Sequence, residues 1–124
     1  MNDKFKILII DDNTETVAGL KSYFAGKYTI VTAHDGMEGM KAFEADREGI
    51  GLIIADLVMP KISGVTLIEA IKRKAPSLPI IAITGWCPHP EALATDAKPD
   101  LLLYKPFEME DLDQAVTKLL ATKV

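Results

Sequence analysis

Five short apolar runs punctuate the chain, and between them the apolar positions recur at helical spacing. The runs are KILII (6–10), YTIVTA (28–33), GLIIAD (51–56), PIIAIT (79–84) and LLLY (101–104). Each has the length of a strand and is apolar almost throughout, the pattern of a strand covered on both faces. The intervening segments carry helix signals. Asn13 is placed to cap a helix with Val17, Leu20 and Phe24 on one face and Gly26 past its end. Asp35 followed by Glu38 resembles a capping box, and Met37, Met40 and Phe43 fall on the expected core face of that helix. Ser63 caps a third helix bearing Leu67, Ile68 and Ile71, which must stop before Pro76. The last helix carries Leu112, Ala115, Val116, Leu119 and Leu120 on one stripe, with acids in its first turn where the helix dipole favours them. The stretch WCPHPEALATDAKPD has a sparse apolar face and three prolines, so a short fourth helix is expected from near Pro90 to before Pro99.

Strands that alternate with helices predict a parallel sheet with right-handed crossovers and helices on both faces. The expected architecture is a single doubly wound α/β domain, five strands and five helices, over residues 1–124. That length buries a core without disulfide or metal staples. With 48% hydrophobic and 26% charged residues the chain is expected to be compact rather than disordered.

The charge pattern narrows the partners. The net charge is −4, from 14 basic and 18 acidic residues, with no basic run able to track a phosphate backbone, which argues against direct nucleic-acid binding. The triplet KRK at 72–74 reads as a solvated helix end. A single cysteine, Cys87, cannot form an internal disulfide. The N-terminus lacks a signal-peptide layout and no apolar run is long enough to span a membrane, so a cytoplasmic location is expected. His34 and His89 have no partner at metal-ligand spacing and read as surface or capping residues.

The candidate chemistry sits where the strands end. Asp11 and Asp12 follow the first run, Asp56 ends the third, Thr84 ends the fourth and Lys105 follows the fifth. In a parallel sheet all five side chains lie at one edge, where open α/β sheets bind ligands. Three carboxylates in one cleft repel each other and stay ionised only beside cations. Lys105 supplies one charge. A hard divalent ion such as Mg²⁺, which retains waters and takes a phosphate oxygen readily, would supply the rest. A carboxylate there can act as a nucleophile towards a phosphoryl group, with Thr84 and Lys105 holding the transferred oxygens.

From Lys6 to the end of the last helix the chain resembles the receiver domain of bacterial response regulators. The resemblance rests on the acidic pair in ILIIDDN, on DLVMPKISG with Asp56, Pro60 and Gly64, on AITG with Thr84, and on YKPF with Lys105 and Pro106. It implies a flavodoxin-like, CheY-like sheet of strand order 2-1-3-4-5. It implies that Asp56 is the phosphoacceptor, Asp12 a direct Mg²⁺ ligand, Asp11 a ligand through water, and the Val58 backbone carbonyl a further ligand. The Lys105–Pro106 peptide bond would be cis, aiming the ammonium into the cleft.

The implied partners are a histidine kinase or histidine phosphotransfer protein as donor, and a downstream protein target or an output domain as receiver of the signal. A homodimer formed on phosphorylation through the fourth helix, fifth strand and fifth helix is one form the output can take. Catalysis would serve only the domain's own phosphorylation and dephosphorylation. Val58 and Trp86 stand at positions that influence attacking water in the family, and their apolar character implies slow self-dephosphorylation.

In one place the chain departs from the family. An aromatic switch residue usually lies three positions before the lysine, and here that residue is Leu102, so Leu102 and the nearby Tyr104 are the switch candidates. That Tyr104 only packs remains a second reading. Two other functions stay in view. A phosphohydrolase of the haloacid dehalogenase type shares the Asp, Thr, Lys and Mg²⁺ set, but its D-x-D pattern does not match the adjacent Asp11 and Asp12. A degenerate receiver would only bind partners, yet all five key residues are present. A stand-alone receiver and a piece of a longer regulator or hybrid kinase fit the sequence equally.

Overall fold

The computed structural model describes residues 5–59, 62–85 and 98–121. Five parallel strands, β1 (Lys6–Ile10), β2 (Thr29–Ala33), β3 (Ile50–Asp56), β4 (Ile80–Thr84) and β5 (Leu101–Tyr104), form one sheet. Their order is β2-β1-β3-β4-β5, as expected. Four helices are present among the described residues: α1 (Thr14–Phe24), α2 (Gly36–Ala45), α3 (Gly64–Lys74) and the C-terminal α4 (Met109–Ala121). The helix expected between Pro90 and Pro99 falls largely outside the described residues, as do Pro60, Trp86, Cys87 and His89.

Strand alternation sorts the core into two halves. Leu8, Ile10, Ile53 and Ile80 face α2 and α3, where they meet Phe43, Leu67, Ile68 and Ile71. Ile7, Ile9, Leu52 and Ile81 face α1 and α4, meeting Leu20, Phe24, Leu112 and Val116. The three inner strands β1, β3 and β4 are thus buried on both sides, which is why they read as unbroken apolar runs.

The helix starts follow the expected chemistry. Asn13 Oδ1 accepts from the backbone N–H groups of Glu15 and Thr16 at 3.0 and 3.1 Å, and Ser63 Oγ accepts from that of Thr66 at 3.2 Å. At α2 the box is altered. Asp35 accepts from the Glu38 N–H at 2.8 Å, but Glu38 reaches back to the N–H of His34 rather than to the cap residue itself.

Three expectations are corrected by the packing. LLLY is an edge strand, with Leu101 38% and Tyr104 45% exposed, because among the described strands only β4 lies beside it in the sheet. Met37 is 48% exposed, since α2 turns Gly36, Gly39 and Phe43 to the core instead. A side chain at Gly36 would strike Ile62 and one at Gly39 would strike Ile10, so the helix packs there through its backbone. Lys72 is not a solvated end residue. Its side chain is half-buried and paired with Asp100, 28 positions away.

Candidate functional site

All the strand-end residues gather at the carboxyl edge of the sheet. Asp11 continues the ladder beyond β1, its N–H donating to Ala33 O at 3.1 Å. It then turns the chain into α1 through an Asx-type bond in which its Oδ1 accepts from the Asn13 N–H at 2.9 Å. Asp56 repeats the device, its Oδ1 accepting from the Val58 N–H at 3.0 Å. Both carboxylates are therefore aimed by local backbone bonds as the chain leaves its strand.

Lys105 answers the question of charge. Its Nζ donates to Asp11 Oδ2 at 2.8 Å and to Asp56 Oδ2 at 3.3 Å. It is brought there because β5 ends beside β4, with the Lys105 N–H bonded to Thr84 O at 2.7 Å. The Lys105–Pro106 bond is cis. Asp11 is fully buried and Asp56 nearly so, whereas Asp12 is exposed, so the cluster opens to solvent on the Asp12 side.

The electrostatics follow from this packing. Burial pushes the Asp56 carboxyl above the usual range and the Asp11 charge adds to it, against the opposing Val58 N–H and Lys105. Burial works against the Lys105 charge too, but the bond to Asp11 and the Asp56 carboxylate outweigh it and hold the ammonium above its ordinary value.

Asp11, Asp12 and Asp56 each offer an oxygen within 4.8 Å of the others. Three hard oxygen donors, one side open to water and, among the described residues, a single facing cation form a donor set that suits Mg²⁺. Thr84 is fully buried at the end of β4, its carbonyl accepting from the Lys105 N–H and its Oγ1 donating to Gly85 O at 3.3 Å. Val58 is 49% exposed on the loop after β3. Leu102 packs against the core half formed with α2 and α3, and Tyr104 lies in register with Thr84. His34 sits 3.5 Å from Glu38 and takes no part in the acidic cluster.

Behind Asp56, Gly64 lies so near the backbone that a Cβ would come 1.8 Å from Asp56 O and 2.6 Å from Leu57 Cα. The Gly64 N–H also donates to Leu57 O at 3.0 Å, closing the loop.

A family model described as the response regulator receiver domain matches residues 7–117. The chain belongs to this family. As a receiver it is a signalling domain of two-component systems. It is 31% identical over 109 residues to response regulator MprA of Mycobacterium ulcerans, covering 86% of this chain and 46% of that protein. The receiver thus spans about half the length of that relative, and a smaller share of others. Among solved structures, a response regulator receiver domain protein of Clostridium thermocellum superposes with a TM-score of 0.87 at 29% identity, covering 96% of each chain. Response regulator TrrA of Thermotoga maritima, solved in complex with Mg(2+)-BeF, gives 0.82 at 31% identity over 93% of this receiver and 98% of that chain. Among the described residues no helix of the receiver is long and apolar enough to cross a membrane.

Proposed function

We propose that this receiver accepts a phosphoryl group on Asp56 from a histidine kinase or histidine phosphotransfer protein in the cytoplasm. The observation that carries the reading is the bridge from Lys105 to Asp11 and Asp56, which joins three strand ends into one charged cleft. Asp12 directly, Asp11 through water and the Val58 carbonyl would hold Mg²⁺ with Asp56. The ion supplies the charge neutralisation that one lysine cannot.

Asp56 is the carboxylate suited to attack. Its Oδ1 is oriented by the Val58 N–H and its Oδ2 by Lys105, and it keeps some exposure to the cleft, whereas Asp11, held in the same way, is fully buried. The new bond joins an Asp56 oxygen to phosphorus as the bond from phosphorus to the donor nitrogen breaks, and a proton passes to the departing imidazole. Lys105 then has a phosphoryl oxygen to neutralise, and the Thr84 hydroxyl has one to receive its hydrogen bond. The nucleophile and the group that steadies its product sit on the same domain, so catalysis serves only the domain's own modification.

The signal would leave through the neighbourhood of Tyr104, in register with Thr84 on an exposed edge, with Leu102 packed behind it. A downstream protein, an output domain or a second copy meeting this edge would read it. Val58, apolar and exposed at the mouth, offers no side-chain hydrogen bond to an attacking water, which favours a long-lived phosphoryl group.

Incubation with acetyl phosphate and Mg²⁺, followed by intact mass measurement and peptide mapping, tests the reading. One phosphoryl group on Asp56 is expected, and none in Asp56→Asn. Label taken up by the Asp56→Asn protein at the same rate would overturn it.

A further inference from the structure

Strand β5 carries Lys105 at its end, and within the strand the partly buried Leu102 and Leu103, packed against opposite core halves, give its register modest support. It has four residues, pairs among the described strands only with β4, and both its terminal side chains are exposed. Where burial is slight, register is weakly specified, and a slip of one residue turns every side chain to the other face. Such a slip would also carry Lys105 about 3.3 Å along the strand axis. Either displacement takes its ammonium out of reach of Asp11 and Asp56, now 2.8 and 3.3 Å away.

The opposite end of the strand holds a device that only one register satisfies. Asp100 clips onto a single residue of β4: its N–H donates to Ile80 O at 2.8 Å, and its Oδ2 accepts from the Ile80 N–H at 2.7 Å. Lys72, reaching across from the last turn of α3, donates to the same Oδ2 at 2.7 Å and to Leu78 O at 3.0 Å. The backbone bond alone would tolerate any residue but proline at position 100. The carboxylate would not, because a slip would leave the Lys72 ammonium and the Ile80 N–H facing a leucine or a proline.

We propose that Lys72 and Asp100 form a register lock and are positioning residues for Lys105, setting its ammonium over the acidic cluster from the far end of β5. The consequence for reaction rests on the phosphoacceptor reading above, while the placement of Lys105 does not. Asp100 ties β5 to β4, and Lys72 ties both to α3, the helix that begins after the Asp56 loop. The lock thus references the lysine to the same helix that backs its carboxylate partner.

The test compares wild type with Lys72→Met, Lys72→Arg and Asp100→Ala. Phe43→Leu serves as a control that loosens the core beneath α2 while leaving every residue of β5 and of the lock unchanged. Two quantities are read: the Lys105 Nζ resonance in ¹⁵N-lysine protein, and the rate of labelling by acetyl phosphate at saturating Mg²⁺. Lys72→Met and Asp100→Ala are expected to move the resonance and to slow labelling about tenfold, the usual lower scale for losing a group that orients a reactive one. Lys72→Arg should restore both, and Phe43→Leu should leave the resonance in place. An unmoved Lys105 resonance in Lys72→Met, or the same movement in Phe43→Leu, overturns the lock. If Asp100→Ala does not fold, the Met and Arg pair at position 72 decides alone. If wild type takes no label, the phosphoacceptor reading fails, and the resonance still decides whether Lys72 and Asp100 place the lysine.

Discussion

Replacing Asp56 by asparagine should make the metal-free protein more stable. Asp56 lies within 4.8 Å of carboxylate oxygens on Asp11 and Asp12, and 3.3 Å from the Lys105 ammonium. At an effective dielectric constant of 20, unit charges 4.8 Å apart repel by about 3.5 kcal/mol, and opposite charges 3.3 Å apart attract by about 5 kcal/mol. Two repulsions against one attraction leave roughly 2 kcal/mol unfavourable. Solvent screening of exposed Asp12 lowers that figure, and the burial of the Asp56 charge raises it. Asparagine keeps one oxygen for the Val58 N–H but turns an amide NH₂ towards Lys105, so the 3.3 Å bond to Lys105 is lost while the 2.8 Å bond from Lys105 to Asp11 remains. A gain of about 1–2 kcal/mol follows, which in a domain of this size raises Tm by roughly 4–8 °C.

The pH dependence carries the sign. Burial first and Asp11 next raise the Asp56 carboxyl in the folded state. A group raised in this way supports the fold at pH below its unfolded value, and that support is lost as pH rises through the folded value. The two proteins should therefore converge in acid and separate as pH climbs through and above the ordinary carboxylate range. Added Mg²⁺ should close the gap, because it offsets the repulsion and binds the wild-type cluster better. Thermal unfolding followed by circular dichroism, in chelator and in Mg²⁺ across a pH series, measures all three effects. An Asp56→Asn protein no more stable than wild type at pH 7 in chelator would refute the reasoning, as would a gap that widens with Mg²⁺.

Two further predictions concern the backbone. Gly64→Ala would place a Cβ 1.8 Å from Asp56 O, a contact with main chain that cannot swing aside, so a loss of roughly 3 kcal/mol is expected in urea unfolding, together with slower labelling of Asp56. An alanine variant of wild-type stability would contradict that packing. Lys98 holds φ 58°, in the left-handed region that favours glycine, so Lys98→Gly should stabilise by about 0.5–1 kcal/mol in the same assay. A destabilised glycine variant would show that the lysine's own contacts outweigh the backbone strain.

What the sequence by itself determined is what depends on near neighbours. Asn13 and Ser63 cap their helices because the groups they bind lie two or three residues on. The runs of β1, β3 and β4 announce themselves because burial on both faces leaves no polar position to interrupt them. The acids, threonine and lysine at the strand ends were legible as a candidate site once parallel strands were inferred, since that topology sends every strand end to one edge. Only the tertiary structure decided the rest. Apolar residues in LLLY look alike at an edge or in the middle, and it is the missing neighbour that exposes Leu101 and Tyr104. In α2, Gly36 and Gly39 face the core because Ile62 and Ile10 come too close for side chains, a distance set by elements outside the helix. Lys72 reads as one of three cations at a helix end until the sheet brings Asp100 to it. Lys105 likewise meets Asp11 and Asp56 across 94 and 49 residues. Periodicity records which way a side chain faces. The partner it meets depends on how separate strands align, and that alignment is a property of the assembled sheet.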